Sequence, residues 1–305
     1  MRTTALVISL CLASLVTACR SAEGPAPAAE TAAPATVAVT AGWTTTEGMA
    51  APESVFVDSA SGFIFTSQIG GAPDAKDGNG RIVKLRGDGS VVSAEWVTGL
   101  NAPKGLRGCG GTLWAADIGE VIAVDIASGA ITSRIALPDS QFLNDVVCAS
   151  DGTIYVSDMI GNRIYAIANG AASVWAEGEQ LEWPNGLLID GNRMIVGGWG
   201  RPEADFSTKV PGRLFALDMT TKQKTAITAQ PFANIDGVES DGRGGYIVTD
   251  WFTGKVLRVS AAGQVTELRT FPQGTADHAF LPAGNILIVP HMNENKVASY
   301  SLTLD

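Results

Sequence analysis

Short runs of β-branched and aromatic residues alternate along the chain with clusters of glycine, aspartate and asparagine, and the alternation is periodic. One frame, a turn followed by a charged residue and an apolar run, occurs six times: Gly80-Arg81-Ile82-Val83, Gly119-Glu120-Val121-Ile122, Asn162-Arg163-Ile164-Tyr165, Gly212-Arg213-Leu214-Phe215, Gly254-Lys255-Val256-Leu257 and Asn295-Lys296-Val297-Ala298. A second β-rich run precedes each copy, among them Phe63-Ile64-Phe65, Ile154-Tyr155-Val156 and Tyr246-Ile247-Val248. Strand signals bounded by turn residues at this spacing predict antiparallel hairpins rather than helices.

A two-residue polar step heads a further strand in every copy: Glu53-Ser54, Lys104-Gly105, Asn144-Asp145, Asn185-Gly186, Asp236-Gly237 and Asp277-His278. Successive steps are 51, 40, 41, 51 and 41 residues apart. A repeat of about 45 residues suits one four-stranded propeller blade, so the spacing predicts an all-β, six-bladed β-propeller over residues 37–305. The last copy has room for only three strands, while the stretch from Val37 to Thr46 precedes the first copy. An open ring would expose edge strands, and the N-terminal strand is therefore expected to complete the sixth blade. Trp43, Trp96 and Trp175 stand 10, 8 and 10 residues before the next polar step, placing them on outer strands packed between blades.

Composition adds to this picture. Glycine is abundant, 35 of 305 residues, and charged residues are sparse at 17%. The net charge of −10 opposes any polyanionic partner, so nucleic acid is excluded as a ligand. Arg2 precedes an apolar run from Ala5 to Ala18, too short for a membrane span of about 20 residues and suited to an export signal. The run ends Leu15-Val16-Thr17-Ala18-Cys19, which resembles the lipobox of bacterial lipoproteins. That resemblance implies a signal peptide over residues 1–18 and a lipid on Cys19 as the only membrane attachment. With Arg20 following the cysteine, it implies an outer-membrane lipoprotein of the cell envelope, facing the periplasm. Residues 19–36, rich in alanine and proline, read as a tether.

In a propeller the innermost strands line the central channel, so the polar steps converge on its axis. Glu53, Asn144, Asn185 and Asp236 together make an all-oxygen donor set with two carboxylates, suited to a hard divalent ion, and to calcium rather than magnesium. Asn-Gly and Asp-Gly are also common tight-turn dipeptides, and polar residues line the channels of propellers that are not enzymes. Lys104 either neutralises part of the ring or meets an anionic substrate group, or else extends its ammonium to solvent at the mouth. Asp277 and His278 are candidates for substrate contact or for supporting the ring. Asp117, Asp158 and Asp250 end second strands and recur too regularly to mark one site, so they are assigned to turn hydrogen bonds. No Gly-x-Ser-x-Gly elbow, phosphate loop or zinc-type Cys/His cluster is present.

The segments Ala51-Pro52-Glu53, Leu143-Asn144-Asp145, Trp183-Pro184-Asn185-Gly186-Leu187 and Ile235-Asp236-Gly237-Val238 resemble those of the gluconolactonase and regucalcin family of six-bladed, calcium-dependent lactonases. That resemblance implies Glu53, Asn185 and Asp236 as metal ligands, Asn144 as a further ligand or substrate contact, and Asp236 as the catalytic base or nucleophile. The implied activity is calcium-dependent hydrolysis of a small-molecule lactone or related ester. Two departures leave the substrate open: Ser54 follows Glu53, and no basic residue occurs in Ser140-Gln141-Phe142-Leu143. The rival class is a non-catalytic envelope propeller that binds a protein or polymer. Cys109 and Cys148 fall near the ends of first strands in adjacent blades, as a disulfide or as two buried thiols.

Overall fold

The computed structural model describes residues 37–304, and the export run, Cys19 and the tether lie outside them. The described chain builds six four-stranded antiparallel sheets. Five of these blades follow sequence order, over residues 52–100, 103–136, 143–177, 184–226 and 235–270. The sixth joins Ala279–Leu281, Ile286–His291 and Lys296–Leu302 to Val39–Thr45, which pairs antiparallel with Lys296–Leu302 and supplies the outer strand. The closure expected from the surplus N-terminal strand is thus the one observed, and it leaves no blade short of an edge partner.

Strand alternation explains why the blades stack. Successive side chains point to opposite faces of a sheet, and in a propeller blade both faces are buried. In blade one Ile82 packs toward blade two, with Leu106 and Leu113, while Val83 packs toward blade six, with Ile288 and Val297. The outer-strand tryptophans wedge under hairpins of the following blade. A Cβ added to Gly89 would meet the ring of Trp43 at 2.4 Å, and one added to Gly129 would meet Trp96 at 2.9 Å. In the third case Lys222 lies 5.7 Å from the Trp175 ring centroid.

The polar steps owe their orientation to a bulge. In blade one the pairing runs Pro52 with Gln68 and then Val55 with Thr66, leaving Glu53 and Ser54 outside the ladder. The same break follows Pro103, Leu143, Pro184 and Ile235. Inside it, the amides of Ser54, Asp145 and Gly237 donate to the hydroxyls of Ser67, Ser157 and Thr249. Asn185-Gly186 and Asp236-Gly237 are therefore strand residues, not tight turns. Their glycines are needed for close approach of the next blade. A Cβ on Gly186 would lie 2.2 Å from the Asp236 carbonyl oxygen, and one on Gly237 would lie 2.5 Å from Asp277 Oδ1 and 2.7 Å from His278 Nδ1.

The sixth step is out of frame by one residue relative to the spacing argument. Asp277 forms a parallel bridge to Ser54, donates its amide to the Glu53 carbonyl at 2.9 Å and accepts the Ser54 hydroxyl. The amide of Ala276 donates to Pro290, and Ala279 pairs with Ile288 as Val147 pairs with Tyr155. Ala276 thus shares the ring position of Glu53, Lys104, Asn144, Asn185 and Asp236. Asp277 joins the row of Ser54 and Asp145, and His278 joins the apolar row of Val55, Leu106, Val146, Leu187 and Val238. The polar residues misled the frame because blade six places its acid one position deeper.

Candidate functional site

Five side chains at the ring position, Glu53, Lys104, Asn144, Asn185 and Asp236, line one cavity of about 210 Å³ at the mouth of the channel. All five are buried. Asn185 Nδ2 donates to Asp236 Oδ1 at 3.0 Å, which fixes the amide and turns its oxygen away from that bond. Asn185 Oδ1 and Glu53 Oε2 are buried and have no hydrogen-bond partner in the protein. An unpaired buried acceptor carries a large desolvation cost, and two of them on residues that line one cavity mark a place for a donor or a cation.

Electrostatics point the same way. Burial first, then the charges of Asp236 and Asp277, hold the Glu53 carboxyl well above its usual range, against the pull of Lys104. Burial and Asp277 do the same to Asp236, opposed by the hydrogen bond from Asn185. Asp145, deeper in the channel, is pushed up to about 7 by burial, in spite of Arg107 and the amides of Leu187 and Val146. Across the channel, Arg107 pairs with Glu239 of blade five at 2.8 Å. Acids outnumber bases along the axis, with Glu53, Asp145, Asp236, Asp277 and Glu239 set against Lys104 and Arg107.

Lys104 does not reach solvent. It is 1% exposed, and its ammonium donates to the carbonyls of Pro73 and Ala102 at 2.9 and 3.0 Å while lying 4.3 Å from the Phe142 ring centroid. Burial lowers its pKa to about 8 even though Glu53 and Asp117 favour the charge. Asp277 and His278 are not part of the cavity wall; they sit below it, in the second and third rows. Asp117 accepts the amides of Asn101 and Ala102, and Asp158 accepts that of Phe142, so these aspartates anchor the segments leading into the inner strands of their own blades. Asp250 accepts the amides of Phe252 and Thr253. Far from the mouth, Cys109 and Cys148 form a disulfide that ties blades two and three, with Cα atoms 6.2 Å apart.

Four of the five ring-position residues, Glu53, Asn144, Asn185 and Asp236, fit a hard cation by their chemistry: two carboxylates and two amides, with two oxygens unpaired. Among the described residues no group of three or more His, Cys, Asp or Glu side chains gathers as a metal cage. The donor set here draws half its members from asparagine, whose neutral oxygens suit calcium. The spacing argument missed the upper wall of the cavity, formed by Phe142, Met159, Trp199, Phe206, Trp251 and Met292. A signal was available, because Met159, Trp199, Trp251 and Met292 each follow directly on the last residue of a second strand.

Fold and mouth together define a six-bladed propeller with an oxygen-rich site at one end of its axis. The family model for the SMP-30/gluconolactonase/LRE-like region matches residues 81–288, over two thirds of the chain, and the protein belongs to that family. Glu53 lies before the matched stretch. No curated protein matches the chain closely enough to count as a relative. Among solved structures, a gluconolactonase from Xanthomonas campestris is 17% identical, with a TM-score of 0.61 over 87% of either chain. Virginiamycin B lyase from Staphylococcus aureus, in a catalytically inactive form with quinupristin, is 12% identical with a TM-score of 0.59, over 88% of this chain and all of that one. At these identities the likeness establishes the fold, and the chemistry rests on the residues at the mouth.

Proposed function

We propose that the protein is a calcium-dependent hydrolase of lactones or related esters, exported and held at the envelope by a lipid on Cys19. The observation that carries the reading is the convergence of Glu53, Asn144, Asn185 and Asp236, from four blades, on one cavity with two unpaired oxygens. These four side chains would hold the ion. When bound, calcium would supply Lewis-acid polarisation of the lactone carbonyl through its oxygen, making the carbonyl carbon the better electrophile.

The remaining work falls to the protein. Asn185 orients the Asp236 carboxylate through its Nδ2, leaving Asp236 Oδ2 to take a proton from the attacking water. A base must be ionised to act; burial and Asp277 raise the pKa of Asp236, and a cation held beside it would favour the ionised form. Lys104 offsets part of the negative charge at the mouth and ties the segment at Pro73 to the inner strand of blade two. The Cys109–Cys148 disulfide supports an oxidising, extracytoplasmic setting. Membership of a family whose description includes gluconolactonase supports hydrolysis of a lactone.

Calcium calorimetry on the purified protein and on Asp236→Ala tests the site, with binding expected only in the unaltered protein. Identical binding by both removes Asp236 from it. Lactone hydrolysis, lost in Asp236→Ala and in chelator, tests the chemistry.

A further inference from the structure

The mouth has an apolar wall as regular as its polar floor. The residue after the second strand occupies an equivalent place in every blade: Ile69, Ile118, Met159, Trp199, Trp251 and Met292. None is polar, and all but Ile118 line the cavity that Glu53 and Asp236 floor. Two further rings complete the collar. Phe142 and Phe206 stand 5.3 Å apart between centroids, and Trp199 and Trp251 stand 6.2 Å apart.

This wall is built rather than incidental. Phe206 belongs to the long connection between Gly198 and Leu214, and Trp199 Nε1 donates to the Phe206 carbonyl at 2.9 Å. Asn234 Nδ2 secures the same connection through the Trp199 carbonyl at 2.7 Å and Thr208 Oγ1 at 2.8 Å. Pro73 comes from the other long connection, after Gln68, and is held by Lys104. These two insertions are what lengthen the repeat at blades one and four.

A polyol needs donors and acceptors to replace the water on each hydroxyl, and a site without them rejects it. The collar offers almost none. Above the floor the polar side-chain groups are those of Asp205 and Asn293, both exposed at the rim, and the indole N–H groups of Trp199, which donates to Phe206, and of Trp251. The ammonium of Lys104 is already committed to two carbonyls.

We propose that the collar sets the substrate class: a lactone or ester with an aromatic or alkyl body, taken in preference to a polyol lactone. The bond that is opened rests on the hydrolase reading above; the body that is bound rests on the collar alone. Phe206 and Trp251, both half-buried, are the specificity-determining residues.

Binding and turnover are measured separately to keep these two claims apart. Two hydrolysis-resistant δ-lactams, one bearing a phenyl group and one the gluconic polyol, are titrated into the calcium-loaded protein by calorimetry. The phenyl lactam is expected to bind about tenfold or more tightly. Phe206→Ala is expected to weaken it about 3- to 10-fold, with Phe206→Leu intermediate and the melting temperature unchanged. Equal or tighter binding of the polyol lactam overturns the proposal, as does failure of the phenyl lactam to bind or indifference to Phe206→Ala. The corresponding lactones are then assayed for turnover. Hydrolysis of neither, with the lactam preference intact, defeats the hydrolase reading and leaves the collar assignment standing.

Discussion

Replacement of His278 by leucine is expected to stabilise the protein, by an amount that grows as the pH falls. His278 is fully buried in a row that the other blades fill with valine or leucine, and neither ring nitrogen has a partner in the protein. Burial, assisted by the Arg107 guanidinium, drives its pKa from 6.5 to about 3. The native state therefore holds a neutral imidazole, whereas the unfolded chain protonates below about pH 6.5. Between those two values the unfolded state binds more protons, so stability is fully present above pH 6.5 and declines as the pH drops toward 3. At about 1.4 kcal/mol per pH unit, the loss from pH 6.5 to pH 4 is about 3 kcal/mol. Removing two unpaired buried nitrogens adds about 1–3 kcal/mol at any pH. His278→Leu is thus expected to gain about 2 kcal/mol at pH 7 and about 5 kcal/mol at pH 4. Guanidinium unfolding of both proteins in excess chelator, compared at each pH, isolates the histidine because the channel carboxylates are common to the pair. A difference that stays flat from pH 7 to pH 4 would refute the buried, neutral imidazole. A variant less stable at pH 7 would show that the nitrogens are hydrogen-bonded after all.

The carboxylates of the channel act in the opposite direction. The pKa of Glu53, Asp236 and Asp277 is raised and that of Asp145 is about 7, so their contribution is present at low pH and lost as the pH rises through those values. In chelator the melting temperature should fall as the pH rises through about 7, and calcium at 100 times its dissociation constant should restore about 2.7 kcal/mol above that pH; no restoration in the unaltered protein counts against a cation at the mouth. Cys109 and Cys148 close a loop of 39 residues, and the Cys109→Ser/Cys148→Ser protein should be about 2–4 kcal/mol less stable in denaturant. Arg107→Met strands Glu239 beside Asp145 and Asp277 and should cost about 3 kcal/mol, whereas Arg107→Met/Glu239→Leu should cost less than the single change. Equal costs would mean that Glu239 carries no penalty once it is unpaired.

Much of this protein follows from its sequence alone. A strand buried on both faces must be apolar at successive positions and must end in residues that turn, and six such units in register leave few architectures other than a propeller. The deficit of one strand at the C-terminus and the surplus at the N-terminus determined the closure through Val39–Thr45. Glu53, Asn144, Asn185 and Asp236 were legible as ring residues because the bulge recurs at the same point in their blades. Tertiary structure decided what periodicity cannot carry. Which residue of a step faces the axis depends on strand pairing, so Ala276 rather than Asp277 occupies the sixth ring position, and His278 falls into an apolar row. The burial of Lys104 against Pro73 depends on the path of a loop, and the disulfide depends on a 6.2 Å approach between blades. The aromatic collar is the fullest case: its residues lie far apart in the chain, and only closure of the ring brings them above one oxygen-lined floor.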